Sequence, residues 1–349
     1  IYALNIGEIN QNENTFDVVG NAVYAENSYT HVLNNTIKNM DGSAIFFRNK
    51  TILQNSRTLF AVFARMHVKD NTFEGTMPHA IYGFGQLEAE TNIFKNRNAN
   101  SPTIWVRELG PNSYVYDNDF EPQLNATTHV TMTVPAIKLE RASAPYRGMK
   151  LDVEKNTINR YRSGIELTNP QGYIGSVASL QYRQVNVYDN KVYNTNIAAN
   201  QGMVYGIRLQ HANGADVTYN VIERLDNVTT SSGRATFERG IALSQTQNAQ
   251  IVYNNVKTHG NGIWSAGNLK GTFYGCNYLD ATYYGFYFLP PSGGSNTIIS
   301  TQGYSYFPSG NMWIDPASSV GSFDRVAGQV DNMKTPKWYF NQGAVTNAQ

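Results

Sequence analysis

The sequence predicts an all-β fold, a parallel β-helix of about ten coils, on three observations. The first is a ladder of Asn-x-apolar triplets at Asn14, Asn35, Asn71, Asn92, Asn118, Asn156, Asn190, Asn220, Asn254 and Asn277, with Asn296 as a candidate last step. The second is the alternating stretch before most of them, as in SYVYDNDF, LDVEKNTI and VNVYDNKV, which is the period of a strand with one buried face. The third is a strand after each step, written small-Ile-x-Leu in PAIKLE, SGIELT, YGIRLQ and RGIALS and loosely in NGIWSA and YGFYFL.

The elements follow in order. A period of about 20 to 38 residues marks stacked repeats, because two short strands bury a face only against the coil above and the coil below. Each coil therefore reads as strand, turn with Asn, strand. Ile165, Leu167, Ile207, Leu209, Ile241 and Leu243 are expected to stack inside at the ~4.8 Å spacing of neighbouring strands. The Asn fits a ladder of its own, since its amide donates to one neighbour and accepts from the other while capping the bend. The coils span residues 1–300. The segment 301–349 reads as aromatic residues, Pro and Gly without a rung, and is expected to cap the open end or contact a partner subunit.

Composition narrows the function classes. Among 349 residues the net charge is +1 and the charged fraction 15 %, which excludes a general nucleic-acid binder. Gly at 29 and Tyr at 23, without long Leu/Ala/Glu/Lys stretches, give a β-and-turn composition. Cys276 is the only cysteine, so there is neither a disulfide framework nor a cysteine zinc site, and in YGCNYL it reads as a small core residue. No apolar run reaches the roughly 20 residues of a membrane span, and no membrane insertion is expected. IYALNIGEIN already reads as strand, as expected of a piece cut from a longer protein.

Alternate positions of the repeated strand face outward. In order they are Tyr24, Glu26, Phe46, Arg48, Tyr82, Trp105, Arg107, Lys138, Glu140, Glu166, Thr168, Arg208, Gln210, Ala242, Ser244, Trp264 and Tyr287. In register they form one stripe. Exposed rings stack on the C–H faces of sugars while Arg, Lys, Gln and carboxylates bind hydroxyls, so Tyr82, Trp105, Arg107, Lys138, Arg208, Gln210 and Trp264 are the expected substrate-binding residues. Packing against another subunit, or an ordinary sheet surface, would use the same residue types. Long insertions after Asn118, Thr168, Asn190 and Asn220 would wall a groove across the rungs of Lys138, Glu166 and Arg208.

Glycoside hydrolysis needs two carboxyl groups. Glu166 and Glu140 fall on neighbouring rungs, offset by two residues, because Lys138 is the one level with Glu166. One rung and two residues give roughly 8 Å between backbones, inside the inverting window of about 6.5–9.5 Å. Glu166 and Glu140 are thus the expected catalytic pair, with acid and base unassigned. Lys138, Arg107 and Arg208 would orient substrate and hold the base ionised. Outward Glu beside Lys or Arg is also how a sheet pairs its charges. Glu26, Glu108, Asp117, Asp189, Glu223 and Glu238 are further acids, of which Asp117 and Asp189, in the frame YDN, read as turn residues. A lyase acting on an acidic polymer, or a β-helix that only binds glycan, stays open. No calcium-type Asp cluster or HExxH-type spacing is present, and no metal or cofactor is expected.

With its Asn-x-apolar ladder, its GIxL strands over roughly residues 9–299, and its low Cys and high Asn, Gly and Tyr, the chain resembles the right-handed parallel β-helix domains of bacteriophage tailspikes. These are depolymerases of O-antigen or capsule. The resemblance implies a right-handed helix, a homotrimer, a bacterial surface polysaccharide as partner, and a place on the virion or outside the cell. The acidic NTD and DD elements and the GHG and RIK-like elements of polygalacturonases are absent as such. Residue roles rest on spacing alone.

Overall fold

The computed structural model describes residues 2–4, 8–17, 20–49, 53–54, 57–58, 64–97, 101–110, 112–123, 132–140, 150–170, 184–194, 204–224, 238–257, 260–280, 284–289, 298–299, 302, 309–313 and 324–328. Among them the chain is all strand and turn, without a helix, and apart from the short antiparallel pair Leu53–Gln54 and Arg57–Thr58 the strands pair in parallel with the next coil. The fold is an all-β parallel β-helix. Contacts divide it into two compact units, Ile1–Tyr161 with Thr168–Arg183, and Arg162–Leu167 with Gln184–Gln349.

A coil has three strands rather than the two expected from sequence. In the first unit Arg65–Lys69 is followed by Thr72–Thr76, which carries the Asn-x-apolar triplet, and then by Ile81–Glu90. Residues just after the Asn look like turn in sequence because the strand they form is short. Each nevertheless pairs with its counterparts above and below, as Phe73 does with Ile37 and Phe94.

The Asn ladder is built as its chemistry requires. The backbone N–H and the side-chain Nδ2 of Asn35 both donate to Oδ1 of Asn71, at 2.8 and 3.0 Å, and the pattern repeats through Asn92 and Asn118 to Asn156. In the second unit it runs from Asn190 through Asn220, Asn254 and Asn277 to Asn311. The residue before each Asn turns the corner with φ between 52° and 66°, as at Asp117, Asp189, Tyr219, Tyr253, Cys276 and Gly310. This position points outward, so Cys276 is exposed, not a core residue. The same corner accounts for Asp117 and Asp189 as turn residues.

Asn311 carries the ladder beyond residue 300. Met312–Trp313 and Asp324–Gly328 pair in parallel with Tyr278–Asp280 and Tyr284–Leu289, so a rung continues past residue 300. The triplet NMW is one more Asn-x-apolar step, hidden among aromatic and Gly residues. Asn296 lies outside the described residues.

Each coil buries a column from each strand. On the small-Ile-x-Leu strand the columns are Ile45, Ile81, Ile104 and Ile137 in the first unit and Ile165, Ile207, Ile241 and Ile263 in the second, all fully buried. On the triplet strand the first unit stacks Phe73, Phe94 and Phe120, with ring centroids 4.9 and 4.6 Å apart. The second places Val192, Ile222, Val256 and Leu279 there. The small residue follows suit. It is Ala44, Ala80, Thr103 or Ala136 in the first unit and Gly164, Gly206, Gly240 or Gly262 in the second. A Cβ at Gly206 would overlap Ile222 Cγ2 and lie 2.6 Å from the carbonyl oxygen of Gly240.

Candidate functional site

In the first unit the outward residues form the expected column. Tyr24, Phe46, Tyr82, Trp105 and Lys138 are successive register partners. Ring centroids step by 5.2, 5.5 and 5.4 Å from Tyr24 to Trp105, and the Lys138 ammonium lies 5.2 Å from the Trp105 ring. His79 adds a buried ring 4.9 Å from Tyr82 and bonds through Nδ1 to the Pro102 carbonyl at 2.7 Å. Burial, opposed by that bond, lowers its pKa and keeps it neutral.

The column leads to Glu140. Lys138 Nζ meets Glu140 Oε1 at 2.9 Å, and Trp105 Nε1 donates to Oε2 at 2.9 Å. Burial pushes this carboxyl up, but the two hydrogen bonds and the charges of Lys138 and Arg107 outweigh it and hold the pKa below the ordinary value. Glu140 is therefore a fixed, ionised carboxylate. Arg107 lies over Trp105 at 5.3 Å, and a hydrogen bond to Tyr82 is the first cause that raises its pKa. These residues border a cleft of about 340 Å³ lined by Phe84, Arg107, Glu108, Glu140, Thr168 and Asn169.

Glu108 is a functional candidate that spacing alone did not select. The strand Ile104–Leu109 bulges, so that Phe84 pairs with Glu108 while Gly83 pairs with Val106, and Arg107 and Glu108 are both exposed. Two consecutive polar residues in IWVREL break the alternation and were the signal for it.

Glu166 belongs to the second unit, and its Oε1 lies 3.9 Å from Arg208 Nη1, an ion pair beyond hydrogen-bond length. Arg208, Ala242, Trp264 and Tyr287 are register partners, and Gln210 pairs with Ser244. Arg208 packs on Tyr205, and Trp264 is covered by Arg239. Tyr205 and Arg239, both preceding the small Gly, were not among the expected site residues. Glu26 and Ala242 lie on the outward face but are buried, Glu26 beneath Arg48, which bonds it at 2.9 and 2.8 Å. Most of the insertions expected to wall the groove lie outside the described residues. Among the described residues no cluster of three or more His, Cys, Asp or Glu could hold a metal.

Comparison with protein-family models, with curated proteins and with solved structures returns no match.

Proposed function

We propose that the protein binds a bacterial surface polysaccharide along the outward stripe and hydrolyses it, as the tailspike depolymerases that its sequence resembles do. The observation that carries this reading is the in-register column of rings, Tyr24 to Trp105, ending at an ionised Glu140 beside a cleft. Rings in that spacing offer stacking faces to consecutive sugars, and Arg107 and Lys138 offer donors to their hydroxyls.

Glu140 suits the base. Each oxygen accepts one hydrogen bond, which leaves lone pairs for a water proton. In the inverting reaction that water attacks the anomeric carbon, its proton passes to Glu140, and a carboxylic acid protonates the departing glycosidic oxygen. The acid is expected from Glu108, which lines the same cleft, or from Glu166, which the sequence pairs with Glu140.

The test is incubation with capsule and lipopolysaccharide from candidate hosts, with product analysis. New reducing ends of inverted anomeric configuration are expected. Glu140→Gln should abolish turnover and keep binding. Whichever of Glu108→Gln and Glu166→Gln also abolishes it identifies the acid. Full activity in Glu140→Gln overturns the base assignment; a conjugated uronate chromophore makes the protein a lyase; no fragments from any glycan leaves a binding module. The homotrimer and virion location come with the resemblance alone, and sedimentation equilibrium tests the first.

A further inference from the structure

One guanidinium in the second unit is buried without an anion among the described residues. Arg239 is 7 % exposed, and its Nε makes no hydrogen bond. Its neighbour in sequence, Glu238, is committed to Arg224, with which it forms a buried ion pair. Among the described residues no carboxylate acts on Arg239; the charges that do are the phenol groups of Tyr205 and Tyr287 and the like charge of Arg208.

What surrounds Arg239 is aromatic and cationic. Its guanidinium lies 3.7 Å from the centroid of Trp264 and 5.6 Å from that of Tyr205. The Arg208 guanidinium is 5.2 Å from the same Tyr205 ring. Tyr284 and Tyr287 stack on each other at 4.7 Å. Trp264 Nε1 is a second buried donor without a partner. Cation–π contact recovers part of the cost of burying a charge, yet several kcal/mol per unpaired ion is the usual penalty. Two N–H donors without a partner, on side chains packed against each other, call for an acceptor oxygen, and the guanidinium charge favours an anionic one.

We infer that Arg239, with Arg208 and Trp264, forms a binding site for the carboxylate of an acidic sugar. A guanidinium fork matches a carboxylate, and the rings of Trp264, Tyr205 and Tyr287 supply the faces that a sugar ring covers. The inference deepens the polysaccharide reading above and rests on it for the sugar; the anion site stands on Arg239 itself.

The experiment is thermal unfolding at constant ionic strength with glucuronate, galacturonate and N-acetylneuraminate, each against its neutral counterpart. The proteins are wild type, Arg239→Met and Arg239→Lys. In wild type at least one acid should raise the midpoint saturably, and its neutral counterpart should not. The shift should vanish in Arg239→Met and weaken by about tenfold in apparent Kd in Arg239→Lys, which keeps the charge but loses the fork. Without ligand, Arg239→Met should unfold at a higher temperature than wild type, whereas a merely structural arginine would give a lower one. No saturable shift with any of the three acids, or a shift that survives in Arg239→Met, overturns the inference. Acid binding without release of fragments from any polysaccharide overturns the hydrolase reading and leaves the anion site intact.

Discussion

The two units share one coil plan but treat their charges in opposite ways. In the first, each of these cations lies beside a carboxylate and is itself at least partly exposed: Lys38 with Glu74, Arg48 with the buried Glu26, Arg65 with the buried Glu88, Lys69 and His67 with Glu90, and Lys138 with Glu140. In the second, among the described residues, Arg224 and Glu238 form a pair at 3 % exposure each, Arg208 stands 3.9 Å from Glu166, and Arg239 has no carboxylate. Paired surface charges keep a sheet soluble at little energetic consequence, whereas buried or unpaired ones are costly and specific. The columns differ in the same sense. Flat rings stack on one another in one unit, and branched aliphatics press on bare glycines in the other.

The largest effect that would sharpen this contrast lies at the buried pair. Glu238→Gln leaves Arg224 facing a neutral amide in a dry site and should lower the stability of the second unit by about 3–5 kcal/mol in denaturant unfolding. An effect below about 1 kcal/mol would put the pair in the same class as those of the first unit.

Next comes the small residue. Gly206→Ala inserts a Cβ against Ile222 and the Gly240 carbonyl and should cost about 1–3 kcal/mol. Ala80→Gly in the first unit creates no overlap and should cost only the roughly 1 kcal/mol of added chain freedom. Equal costs would erase the distinction between the two columns.

Acid acts in opposite directions on two sets of strands, although burial also raises Asp119 and Glu154 in the first unit. Burial pushes Glu90 up, but hydrogen bonds from His67 and Lys69 hold it below 4.5, as Lys138 and Trp105 hold Glu140. Their contribution is complete above 4.5 and is lost as pH falls through the lower folded values. Burial raises Asp216 and Asp280 above 3.8, so theirs is present below 3.8 and lost as pH rises through the folded values. Pulsed hydrogen exchange at about pH 5.5 and 3.5 should therefore show Ile81–Glu90 and Met132–Glu140 losing protection in acid, and Ala215–Thr218 and Tyr278–Asp280 gaining it. The same trend in all four strands would break the comparison.

Smallest is the surface pair. Glu74→Gln, with both partners about a third exposed, should change stability by less than about 1 kcal/mol and only at low salt.

The coil itself was readable from the chain. Period-two alternation places Ile207 and Leu209 inward and Arg208 outward, and an amide that both donates and accepts makes an Asn column self-consistent wherever coils stack. These are local rules that every rung obeys separately. The same rules selected Tyr82, Trp105, Lys138 and Glu140, which the fold does bring together. They failed where a residue's neighbours come from other coils. The third strand is too short to show a period, Cys276 is exposed by a corner angle, and Glu108 reaches the cleft through a one-residue bulge. Arg239 is ordinary in sequence. Only packing shows that Glu238 is already taken by Arg224 and that Trp264 closes over the guanidinium. Direction along a strand is a property of the local chain, but whether a charge has a partner depends on every coil around it, and that is decided when the coils stack.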